Sequence, residues 1–194
     1  WDIDEHCCCF TLSIPSLKTK VPAIKGKMGG HTYYSFSIQP EKLLKLSYIL
    51  HNNTTSEEVV GTYQRMVNKK RVSEIGAFLD SNDGGSGFFP NSIIVNFDTN
   101  GRNLVFEKNS SDHDVEDCSV GVLKLPDKFR SAFIIDGQHR LYGYSKSQWK
   151  AKHTIPVVAF EDLPVENQVD MFVNINHKQK SVSQNLLTTI KAEL

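Results

Sequence analysis

No run of apolar residues in this 194-residue chain is long enough to span a bilayer, and the amino-terminal WDIDEHCCCF lacks the basic start and apolar stretch of a secretory signal. Net charge is also missing. Lys plus Arg and Asp plus Glu both total 22, so no whole-chain basic footprint for nucleic acid exists and any such contact must come from a local patch. Cysteine is scarce and poorly spaced for metal. Of the four, Cys7, Cys8 and Cys9 are consecutive and Cys118 stands alone, which excludes a paired CxxC site. They read as small hydrophobes in a reducing cytosol rather than as a disulfide framework, and a cytoplasmic location is expected. The histidines show no HExxH spacing, and no internal repeat or low-complexity tract stands out.

What is present suits one globular domain of mixed structure. The length is enough to bury a core. Thr32–Ile38 alternates and is β-rich, predicting a strand. PEKLLKLSYIL predicts a helix with Pro40 near its start and Leu43, Leu46 and Leu50 on one face. Val72, Ile75 and Leu79 predict a second helix. FPNSIIVNFDTNGRNLVFE reads as two strands around a turn at Asn100-Gly101, the strongest short hairpin signal. VGVLKLP, SAFIID and TIPVVAF read as strands, with SAFIID apolar enough to be central. HRLYGYSKSQ and PVENQVDMFV read as helices, the latter with Val165, Val169 and Phe172 on one face, followed by INHKQKSVS as a polar loop. Elements mix without strict strand–helix alternation, so the fold class is α+β. Leu186, Leu187, Ile190 and Leu194 keep helical spacing, and a helical region is expected to start near residue 183 and to continue beyond Leu194.

The chemistry concentrates in FIIDGQHRLYGY, Phe133 to Tyr144. An apolar strand ends at Asp136, Gly137 permits a sharp turn or a close approach, and a helix starts near Gln138 or His139. First-turn N–H groups together with Arg140, and with His139 beside it, make an anion site suited to phosphate. Asp136 suits a helix cap, a metal or a ribose. The plainer alternative is an N-cap, a tight turn, two solvated side chains and a surface ion pair.

DGQHR, Asp136 to Arg140, is the name-giving signature of the DGQHR-domain family, which includes DndB-like regulators of bacterial DNA phosphorothioate modification. The chain resembles that family in three further segments, in order: YQR at Tyr63–Arg65 with Arg71 and the helix after it, FFPNSIIV at Phe88–Val95, and FVNINHKQKSVS at Phe172–Ser183. The resemblance covers most of Tyr33 to Leu194. It implies a DGQHR domain over residues 1–182 and a mixed sheet with flanking helices, similar to the ParB/sulfiredoxin fold. There a G-x-x-R loop, matched by Gly137 and Arg140, holds nucleotide phosphates. Sulfiredoxins are similar here too, with a GCHR core, but Gln138 stands where their nucleophilic cysteine lies. An amide cannot supply thiolate chemistry, which argues against sulfinic acid reduction.

The resemblance implies a nucleotide site formed by Gly137, Gln138, His139 and Arg140 and completed by Asn174, Asn176, Gln179 and Lys180. Asn176-x-x-Gln179 is loosely similar to the Asn-x-x-Arg segment of ParB-like proteins. Gln64, Arg65 and Arg71 are candidates for phosphate or DNA contact, and Lys69, Lys70 and Arg71 form a basic run. The acidic group Asp112, Asp114, Glu116 and Asp117 with His113 reads as a solvated insert rather than a metal site. The expectation is a DNA-binding accessory or regulatory protein of a bacterial DNA modification system. It would bind, and hydrolyse if Asp136 holds a metal or orients water, a nucleoside triphosphate (ATP or CTP) with Mg²⁺. DNA and other DNA-modification proteins are the expected partners, with self-association compatible and no membrane. Two alternatives stand beside it: a DNA-binding repressor without nucleotide chemistry, and a ParB-fold nuclease using carboxylates such as Glu161 and Asp162 near Asp136.

Overall fold

A computed structural model describes residues 19–49, 67–81, 87–99, 104–109, 118–126 and 128–177. The alternating stretch at His31–Ile38 forms strand β2, preceded by β1 (Lys20–Met28), a strand with no clear signal in the sequence. The two are antiparallel, with Met28 opposite His31. Gly29 and Gly30 make the two-residue turn at φ 57° and 83°, the left-handed pair that such a hairpin demands. Helix α1 (Pro40–Leu46) buries Leu43 and Leu46 as expected but stops earlier than its apolar spacing suggests. Ser47 donates from Oγ to the Leu43 carbonyl at 2.7 Å, and Ser47–Tyr48 turn extended as β3, beside β7 (Ala132–Asp136). Leu50 lies outside the described residues.

Helix α2 (Lys69–Asp80) is capped by Asn68, whose side chain accepts the N–H groups of Lys70 and Arg71 at 3.0 and 3.2 Å. Its buried stripe includes Val72 and Leu79, with Ile75 half-buried against the core. Strands β4 (Ile93–Phe97) and β5 (Val105–Lys108) form where expected, yet they do not pair with each other. β4 lies between β7 and β8 (Ile155–Glu161), while β5 pairs with β6 (Ser119–Lys124) at the far edge. The local Asn-Gly signal is overridden because apolar neighbours take both sides of β4. Beyond β8, Asp162 accepts the Thr99 N–H at 2.8 Å and the Thr99 hydroxyl, and Glu161 accepts the Leu104 N–H. These carboxylates hold the two ends of the β4–β5 connection against β8 rather than against each other. Asn100 and Gly101 themselves lie outside the described residues.

The eight strands among the described residues make one mixed sheet in the order β3-β7-β4-β8-β2-β1-β6-β5, and the fold is α+β. β7 is second from an edge rather than central, but its first four residues are buried on both faces. One face carries Val95, Phe97, Ile134, Val157 and Tyr34 against α1, α2 and α3 (Gln138–Tyr144). The other carries Phe133, Ile135, Phe160 and Leu163 beneath α4 (Val165–His177). Helices α2 and α3 cross closely. A Cβ on Gly143 would lie 2.1 Å from Ile75 Cγ2, and one on Gly76 2.9 Å from Lys146 Cβ.

Helix α4 departs from its expected stripe. Val165 is exposed, because Leu163 fills the core position and Gln168 turns back to donate from Nε2 to the Leu163 carbonyl at 2.7 Å. The helix also runs on through Ile175, Asn176 and His177, which the sequence reads as a polar loop. Asn176 satisfies the helix itself, donating from Nδ2 to the Phe172 carbonyl one turn earlier at 2.8 Å. The expected helical segment from residue 183 and the acidic insert at Asp112–Asp117 lie outside the described residues. Among the described residues no helix is long and apolar enough to cross a membrane.

Candidate functional site

Strand β7 ends beside the start of β4, with Asp136 opposite Ile94. The next pair in register is Val95 with Ile134, so Ile135 is an extra residue, a bulge that bends the strand just before Asp136. Gly137 follows at φ 90°. A side chain is excluded there twice over: by the left-handed backbone, and because a Cβ would sit 2.6 Å from Ile93 Cδ1 and 3.0 Å from Arg140 Nη2. The chain reverses at this point into α3. Gln138 is therefore driven into the interior, 7% exposed, rather than lying solvated.

Bulge, glycine and helix together open a cleft of about 740 Å³ at the rim of the sheet, within the size range of small-molecule sites. Its walls come from three directions. Asp136 to Arg140 form one side, Arg71 and Ile75 of α2 a second, and Phe172, Ile175 and Asn176 of α4 a third. Ile94, Ile135 and Val158 give it an apolar floor. All five residues of DGQHR thus meet Arg71 and Asn176, distant in sequence, around one space.

The polar groups of the motif are engaged with the protein. Arg140 donates from Nη2 to the Asp136 carboxylate at 2.8 Å and from Nη1 to the Asn91 carbonyl. The two side chains are 18% and 24% exposed. His139 accepts the Asn68 N–H on Nε2 at 3.1 Å, which requires a neutral ring at that nitrogen. Two of these bonds tie the loop to its surroundings, His139 to the amino end of α2 and Arg140 to the segment before β4, while the Asp136 pair braces the loop internally. Asp136 does not cap α3; the N-cap position is Gly137. With only seven residues in α3, the helix end adds little charge of its own, and the side chains set the electrostatics. Arg71, the other arginine lining the cleft, has no ion-pair partner among the described residues. Its neighbours Lys69 and Lys70 are exposed on the same first turn, which holds no acidic residue, and Lys70 reaches Glu74 one turn on at 3.9 Å. Cations at a helix amino end are unfavourable for the helix, so this turn concentrates positive potential at a cost in stability.

A family model described as DndB, DNA-sulfur modification-associated, matches residues 21–190. The chain belongs to the DndB family. No curated protein and no solved structure matches it. Membership associates this DndB-family protein with DNA sulfur modification.

Within the family frame, the structure gathers Asp136, Gly137, Gln138, His139, Arg140, Arg71 and Asn176, and leaves Asn174 exposed on α4 away from the cleft lining. Gln64, Arg65, Gln179 and Lys180 lie outside the described residues. Glu161 and Asp162 are not brought to Asp136. In register Asp136 aligns through Ile94 with Val158, and Glu161 lies three residues further on, about 10 Å along a strand. There Glu161 accepts the Tyr34 hydroxyl at 3.1 Å, and both carboxylates line a separate polar pocket. Among the described residues no group of His, Cys, Asp and Glu is arranged to hold a metal. The sequence reading assigned no role to Phe89, Asn91 and Ser92, which also line the cleft. The available signal was Pro90-Asn91-Ser92, turn-forming polar residues directly ahead of an apolar strand. Met28, the last residue of β1, also lines the cleft and carried no such signal.

Proposed function

We propose that this DndB-family protein is a DNA-binding accessory or regulatory component of a bacterial DNA sulfur-modification system that binds a nucleoside triphosphate in the rim cleft. The observation that carries this reading is the convergence of the DGQHR loop, Arg71 and Asn176 on one cleft with an apolar floor. Phosphate suits the guanidinium side, and a base suits Phe172 on the α4 wall. The likeness to the ParB/sulfiredoxin fold supports the same assignment through Gly137 and Arg140. The donor set does not fit a resident Mg²⁺: among the described residues Asp136 is the one carboxylate lining the cleft, and it is paired with Arg140. An ion would arrive as part of the nucleotide.

A thermal-shift panel of ATP, CTP, GTP and UTP with Mg²⁺, with and without duplex DNA, tests the proposal. ATP or CTP is expected to raise Tm by several degrees in the wild type, and Arg71→Ala is expected to abolish most of that shift. Absence of any nucleotide shift in the wild type sinks the nucleotide assignment. Binding without turnover is the second reading, favoured because Asp136, the group that would orient a water, is committed to Arg140. DNA binding that nucleotides neither strengthen nor weaken would select a repressor without nucleotide chemistry.

A further inference from the structure

The geometry points to Asp136 as an internal anion that the ligand's phosphate must displace, a specificity-determining group rather than a ligand contact. The inference rests on the reading that the cleft holds phosphate. Arg140 has one side of its guanidinium fixed to the Asn91 carbonyl and the other to the Asp136 carboxylate at 2.8 Å. The first bond is to a neutral backbone atom and locates the residue. The second is to a charged oxygen on a side chain 24% exposed, which water can reach when the pair opens. A phosphate oxygen entering the cleft offers Arg140 the same chemistry as the carboxylate, planar donors meeting an anionic oxygen. Arg71, across the cleft on α2 and without an ion-pair partner among the described residues, supplies the first attraction. Exchange at Arg140 follows, and Asp136 turns towards solvent. Asp136 therefore disfavours weakly charged ligands, because the Nη2 donor it occupies is gained only by an anion that displaces the carboxylate.

The test uses the full chain and two probes, pyrophosphate and ATP, both in EDTA so that no metal bridges the carboxylate. Asp136→Asn keeps the shape and one acceptor for Arg140 but removes the charge. Calorimetry is expected to show both probes binding the variant about tenfold tighter, the scale of removing one like charge at close range in a partly wet site. In the wild type, the Asp136 carboxyl ¹³C resonance is expected to move when pyrophosphate is added. This reading needs no variant to fold. Equal or weaker binding by Asp136→Asn, with an unshifted carboxyl resonance, overturns the inference by showing that Asp136 only orients Arg140. Failure of the wild type and the variant alike to bind either probe overturns instead the assignment of the cleft to phosphate.

Discussion

At the scale of single residues, the DGQHR loop is a joint before it is a binding motif. Gly137 supplies a backbone angle, Gln138 fills space, His139 holds the start of α2 and Arg140 holds the segment before β4. Two glycines with similar angles separate the causes. Gly30 has φ 83° but open space where a Cβ would go, whereas Gly137 has φ 90° and a crowded one. Gly30→Ala should cost about 1 kcal/mol, the left-handed penalty alone. Gly137→Ala should cost roughly 3 kcal/mol, since overpacking is added to it. Urea denaturation of the two variants checks the difference, and equal costs would mean that Ile93 and Arg140 give way freely. The sequence made Gly137 and the cationic character of Arg140 legible, because residue type and spacing carry those properties. It could not show that Arg140 and His139 are already occupied. Two of their partners, the Asn91 carbonyl and the Asn68 N–H, are backbone atoms that residue type does not mark, and only the Asp136–Arg140 pair has a sequence signal, its i,i+4 spacing.

At the scale of elements, helices and strands with a full apolar stripe were legible, and partners were not. α2 follows its Val72–Leu79 pattern, and β7 and β8 follow their apolar runs. The expected β4–β5 hairpin fails because pairing is decided by which apolar strands compete for an edge, information spread from Ala132 to Glu161. The close crossing of α2 and α3 is likewise invisible until both helices are in place. It makes a specific demand: Gly143→Ala would push a methyl into Ile75 and separate the helices. A loss of about 2 kcal/mol is expected from such overpacking, with substantial recovery in the double variant Gly143→Ala/Ile75→Ala. A thermal melt of the three proteins distinguishes this contact from a general intolerance of substitution in α3, which the second change would not relieve.

At the scale of the whole molecule, several tyrosines couple stability to alkaline pH. Burial, with the Glu161 carboxylate beside it, pushes the Tyr34 phenol far above its ordinary value of 10.0. Burial also raises Tyr48, with Asp98 adding to it, as well as Tyr144 and Tyr142. A folded value above the unfolded one means that the contribution is intact below about pH 10 and lost as pH rises towards the folded value. Stability should therefore fall above pH 10, and Tyr34→Phe should flatten that fall while removing one hydrogen bond to Glu161. Denaturation midpoints between pH 8 and 11.5 would show it, and parallel curves for the two proteins would exclude Tyr34 as a source. The sheet order has a consequence for biosynthesis. Among the described residues β8 is the last strand in sequence, yet it joins β3-β7-β4 on one side to β2-β1-β6-β5 on the other. Until residue 161 has left the ribosome, the edges of β4 and β2 that face β8 have no partner, and only then can the seam close and the hydrophobic interior become continuous. Strand edges left open for that interval are templates for misassociation, so the window before β8 appears is when this protein is most in need of a chaperone.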